Sequence, residues 1–129
     1  MTDKTFEHRD LKLLAEIGFS AAARGLGELA KPIFAALAEY KPDHAAAAIG
    51  YATTAIVARD FDTAIRVLWH DGVNAKQASN EAKAILLIAM IMSNRQAEAG
   101  ALQEELIERA EGPAKEIALA LLDQVTVTA

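Results

Sequence analysis

The sequence predicts an all-α protein assembled from repeated helix-turn-helix units, and three observations carry that expectation. Alanine and leucine dominate a composition that is 53% hydrophobic but only 5% aromatic, with 7 glycines and 3 prolines in 129 residues, which favours helix over strand. Apolar residues recur at helical spacing through most of the chain, broken by short Gly-, Asn- or Pro-containing stretches. The pattern of small and apolar residues in 11–44 then returns in 45–78, a repeat length of about 34 that signals stacked helical pairs.

The elements follow in order. A polar stretch over residues 1–10 is expected to be flexible, and the first helix runs from Leu11 to about Arg24. Gly25-Leu26-Gly27 supplies the turn, and the partner helix spans roughly Glu28 to Tyr40. Pro32 either sits in the first turn of that helix or bends it, and Pro42 ends the unit. In the second unit Ala48, Tyr51 and Ala52 take the places of Leu14, Ile17 and Gly18, and Phe61, Ala64 and Leu68 fill the turn and second-helix places. Asp60 is the expected N-cap of that second helix, and Gly72 its left-handed stop. The loop Asp71–Gln77 has Lys76 where the first unit has its proline, so the exit geometry should differ.

Ser79 is the expected N-cap of the third unit. Its first helix contains AILLIAMIM, Ala84 to Met92, apolar around the whole circumference and therefore expected to be covered on every side. Ser93-Asn94-Arg95 turns the chain into a helix from Gln96 to Ala110 with Leu102 and Leu106 inward. Gly112-Pro113 starts a last amphipathic helix, to about Gln124, suited to cap the array. One domain over 11–124 results, followed by a fraying β-branched tail, 125–129.

Leu14, Ile17, Gly18, Ala21, Ala30, Phe34 and Pro42 follow the spacing W-x2-L-G-x2-Y…A-x3-F…P, with leucine and alanine at the aromatic places, and ARDFDTAIRVL carries the same design into the second unit. The chain thereby resembles a tetratricopeptide-repeat protein of about three degenerate repeats plus a C-terminal capping helix, an α-solenoid. The competing arrangement is a six- or seven-helix bundle with accidental phase. In size, acidity and repeat number the chain also resembles the small type III secretion chaperones.

The resemblance implies a concave groove lined by the first helix of each unit. By repeat phase its lining is Ala15, Phe19 and Ala22, then Ile49, Thr53, Ile56 and Val57, then Lys83, Leu87, Met90 and Ile91. Family members that grip a partner's C-terminal carboxylate use Lys, Asn and Arg in the groove, whereas Ala15, Phe19, Ile49 and Thr53 stand there in this chain. An apolar strip suits an amphipathic helix laid lengthwise. The expected role is a non-enzymatic secretion or assembly chaperone holding such a segment of another protein. A scaffold or regulatory adaptor, or a homodimer using the same groove, is the alternative.

Other functions find little support. The formal net charge is −5, without a basic block to follow a phosphate backbone, so nucleic acid is not expected as a partner. The absence of cysteine removes disulfides and thiolate metal sites. The charged opening MTDKTFEHRD has no secretory core, and no apolar run approaches the roughly 20 residues of a membrane span; a cytoplasmic protein without membrane insertion is expected. His8, His44 and His70 lack ligand spacing, Trp69-His70-Asp71 reads as a packed tryptophan beside a helix C-terminus, and Glu104, Glu105, Glu108 and Glu111 form a solvated face. No metal, cofactor or catalytic set is expected.

Overall fold

The structure is a computed structural model that describes residues 8–125. Among them are seven α-helices: α1 (His8–Ala23), α2 (Gly27–Tyr40), α3 (Ala46–Val57), α4 (Phe61–Val67), α5 (Ser79–Met92), α6 (Gln96–Arg109) and α7 (Pro113–Ala120). Helix α4 continues into a π-helical turn, Leu68–Gly72, and a 3₁₀ turn, Leu122–Gln124, follows α7. The flexible segment expected over 1–10 and the tail over 125–129 lie outside the described residues, except that α1 already begins at His8 and Val125 is buried in the core.

The odd helices pack on one another and the even helices pack on the odd ones. Helices α1, α3, α5 and α7 form a continuous row, while α2, α4 and α6 each sit against the two odd helices that flank them. The three turns that join odd to even helices share one geometry. Gly25, Arg59 and Asn94, 34 and 35 residues apart, adopt left-handed backbone with φ of 79°, 62° and 64°. The amide of each donates back three residues, to Ala22, Ile56 and Ile91, and the next amide donates back five, from Leu26, Asp60 and Arg95 to Ala21, Ala55 and Met90 at 2.8–2.9 Å. This double bond satisfies carbonyls that the ending helix leaves without partners. Five residues after each left-handed residue stands an alanine, Ala30, Ala64 or Ala99, with no exposed surface.

The contacts between rows require small residues. The Phe34 ring of α2 is fully buried between two glycines, Gly18 of α1 and Gly50 of α3. A methyl group on Gly18 would stand 2.9 Å from the ring, and one on Gly50 would overlap it. Phe19 and Tyr51 close the remaining sides, with ring centroids 5.2 and 5.8 Å from that of Phe34. A second, larger cluster runs through α3 to α7, where Leu68, Leu86, Leu87, Met90 and Leu106 are its bulkiest enclosed members. Gln103 is buried at the place Phe34 holds in the first unit, and its amide donates to the Ala118 carbonyl at 3.1 Å, tying α6 to the last turn of α7.

Several local expectations are met and others are corrected. Asp60 caps α4, accepting from the Thr63 amide at 3.3 Å and the Thr63 hydroxyl at 2.7 Å, and Pro113 is in the first turn of α7. Pro32 lies beyond the first turn of α2; both it and Glu28, whose carbonyl loses its helical donor, face solvent. Gly72 is not left-handed. It is buried where an added methyl would stand 3.0 Å from the Ala82 Cβ, so closeness of two segments, not handedness, calls for glycine. Ser79 is the first residue of α5 and not its cap; that place belongs to Ala78, in left-handed conformation with φ of 65°. The exit loops of the first two units lie side by side, where the Ala45 amide donates to the Gln77 carbonyl and the Gln77 amide to the Asp43 carbonyl, both at 2.9 Å.

Candidate functional site

The accessible side of the odd-helix row carries several of the expected groove residues. From α1 it carries Ala15 and Phe19, both half-buried. From α3 come Ile49, Thr53 and Ile56, half-buried, and Val57, exposed. The Thr53 hydroxyl donates to the Ile49 carbonyl at 2.8 Å, so its proton is spent within the helix and the surface it offers is mostly its methyl. From α5 the half-buried Ile91 joins them.

Four expected lining residues lie elsewhere. Ala22 is fully buried, and Leu87 and Met90 are enclosed in the larger core cluster. Lys83 is half-buried toward α6, where it is paired with Glu105. The reason for the α5 displacement is one of phase. Helix α5 has 14 residues against 12 in α3, and its closing turn comes 35 residues after the preceding one. One residue rotates an α-helix by about 100°, enough to carry a side chain from a groove into a core. Counted from the turns, the residues equivalent to Phe19, Ala22 and Ala23 are Thr53, Ile56 and Val57 in α3, and Ile88, Ile91 and Met92 in α5. Accordingly Ile85 and Ile88 are half-buried and Met92 is exposed, so α5 is not covered on every side.

At one end of this face Val57 borders a hollow of about 680 Å³ between the start of α2 and the end of α3. Its walls are mainly apolar: Leu26, Leu29, Val57, Ala58 and the Thr54 side chain, with the exposed Lys31–Glu28 pair at the rim. Leu26 and Leu29 escape a reading by repeat phase, because they sit on an even helix and its turn. Their apolar character at the edge of a helix start is the signal that marks them.

The titratable groups are dispersed. Among the described residues no three His, Cys, Asp or Glu side chains gather as metal ligands would. His44 stands at the start of α3, its Nδ1 accepting from the Ala46 amide at 3.0 Å; burial, and then the nearby Lys41 ammonium, hold it below its ordinary value against the opposing pull of Glu81. The Thr63 hydroxyl and amide lower Asp60 in the same way that any carboxylate accepting two bonds is lowered. Trp69, expected to be packed, is about half-exposed on the π-helical turn, and His70 pairs with Asp71 beside it at 3.0 Å in solvent. Glu104 and Glu108 are exposed on α6. No described helix is long and apolar enough to cross a membrane.

Compared with models of protein families, with curated protein sequences and with solved structures, the chain matches none.

Proposed function

We propose that this is a non-enzymatic, tetratricopeptide-like α-solenoid of three repeats and a capping helix, whose odd-helix face holds an amphipathic helical segment of another protein. The secretion or assembly chaperone of the cytoplasm, with a chain of this size and acidity, is the form of that role we favour. One observation carries the reading: an uncharged apolar strip, Phe19, Ile56, Val57, Ile88, Ile91 and Met92, crosses the three odd helices α1, α3 and α5, each of which ends in a turn of the same geometry. Equal turns keep equivalent residues on one side, so the strip lengthens with each unit. A helix laid across it meets apolar side chains at successive turns, and Met92 adapts to imperfect partners.

Magnitudes limit the affinity. Covering a half-exposed large apolar side chain contributes about 1 kcal/mol, so six supply roughly 6 kcal/mol before the ordering of the partner is subtracted. Micromolar or weaker binding is expected from this face alone. The test compares the native protein with a Val57→Glu/Ile88→Glu variant, whose changes lie at surface positions and leave helicity intact. A protein retained from source-cell lysate by the native form, and bound by it at least about tenfold more tightly than by the variant when purified, supports the reading. Equal retention and equal affinity for both would remove function from this face.

A further inference from the structure

We infer that two copies of this chain associate through the outer face of α1 and α2, about a two-fold axis close to Ser20, a surface that meets the odd-helix face only at Leu26 and Leu29, which also border the Val57 hollow. Leu13, Ile17, Leu26 and Leu29 are 56%, 49%, 49% and 59% exposed, and all four line a single hollow of about 340 Å³ together with Glu16 and Arg24. Single exposed apolar side chains are ordinary, but four converging on one hollow are not. The face lies at the end of the odd row, where α1 packs on α2 and α3.

The occupant is argued from charge. Residues 8–41 carry five basic and four acidic side chains, whereas residues 96–125 carry two basic and seven acidic. Two copies of an acidic chain approaching through their α6–α7 ends repel, and through their α1–α2 ends they do not. The rim of the hollow is also complementary to itself. Glu16 stands four residues before Ser20 and Arg24, the first residue beyond the end of α1, four after it, and all three border the hollow. When α1 of one copy lies antiparallel on α1 of another about Ser20, Glu16 of each faces Arg24 of the other, twice over. Ser20 is small and exposed, so the helices approach closely at the axis. An isologous contact demands this pairing of a surface with its own image. Such a dimer covers Leu26 and Leu29 at the edge of the Val57 hollow and leaves the rest of both odd-helix faces open.

Sedimentation velocity over a wide concentration range tests the inference, with far-UV circular dichroism establishing that every variant keeps its helicity. The native protein should show a reversible monomer–dimer equilibrium. Glu16→Arg and Arg24→Glu should each raise the dissociation constant at least about tenfold, because each creates two like-charge contacts. An equimolar mixture of the two variants, or the double exchange in one chain, should return it toward the native value. Leu13→Ser/Leu29→Ser should give a monomer. A native protein that is monomeric throughout would overturn the inference, as would a dimer indifferent to these four exposed positions. A dimer dispersed by Val57→Glu/Ile88→Glu alone would overturn it as well and put the interface on the odd-helix face.

Discussion

Gly50→Ala is the substitution whose outcome the packing of the first two units decides most sharply. In an exposed helix the change would stabilise by about 1 kcal/mol, since glycine is the poorer helix former. Here the added methyl falls on the Phe34 ring, which is fully buried and held by Gly18 behind it and by Phe19 and Tyr51 at its sides. The ring has no open space to enter, so the backbones of α2 and α3 must separate, and overpacking of this kind costs about 3 kcal/mol at the upper end of its usual range. A net loss of about 2 kcal/mol remains, equivalent to a fall of roughly 8 °C in Tm for a chain of this length. Urea denaturation followed by circular dichroism measures it. The second half of the test is Phe34→Leu, which alone leaves a cavity and destabilises, but in the Gly50→Ala background relieves the overlap. The double variant should therefore be more stable than the sum of the single losses predicts by at least about 1 kcal/mol. Strict additivity, or a Gly50→Ala protein as stable as the native one, would refute the account of Phe34 as a ring clamped between two glycines.

The remaining predictions concern polar groups. Asp60→Ala should lower Tm at pH 7, and because the Asp60 pKa is depressed on folding, its contribution is complete above about pH 4 and disappears as pH falls through the folded value, so the difference in Tm should shrink at pH 3. The His44 pKa is also depressed on folding, so protonation favours the unfolded chain: its contribution is complete above about pH 6.5 and is lost as pH falls toward the folded value. His44→Asn keeps an acceptor for the Ala46 amide and should remove that part of the pH dependence of the urea midpoint; an unchanged slope would count against the assignment. Gln103→Leu strands the Ala118 carbonyl and should cost about 1–2 kcal/mol in urea denaturation, whereas an unaffected midpoint would mean that α6 and α7 are held by apolar contact alone.

The helices and their turns were legible because caps and left-handed positions carry their own chemistry. Gly25, Asn94, Asp60 and the Gly112-Pro113 pair each serve a local backbone need that their residue type announces. Arg59 gave no such sign, although it occupies the same left-handed place as Gly25 and Asn94. The phase of α5 was not legible from a fixed repeat length. It is set where the second unit exits through the π-helical turn and a loop anchored by main-chain bonds among Asp43, Ala45 and Gln77, which leave no side-chain signature. Leu87 and Met90 consequently belong to the core, and Ile88 and Met92 to the surface. Gly72 was misread for a related reason: its smallness answers to Ala82, a neighbour in space and not in the local turn.

Sixteen of the 27 buried hydrophobic residues among those described are alanines. A core of leucines tolerates enlargement poorly and truncation worse, since deleting a large side chain leaves a void. Alanine has almost nothing to delete, and where Ala30, Ala52, Ala64, Ala89 or Ala99 meets a neighbouring helix each extra carbon must push two backbones apart. The mutational sensitivity of this fold is therefore inverted relative to a leucine core. A saturation scan should find harm rising with side-chain volume at these positions, serine and glycine tolerated best, and the hydrophobic substitutions that rescue ordinary cores among the most damaging.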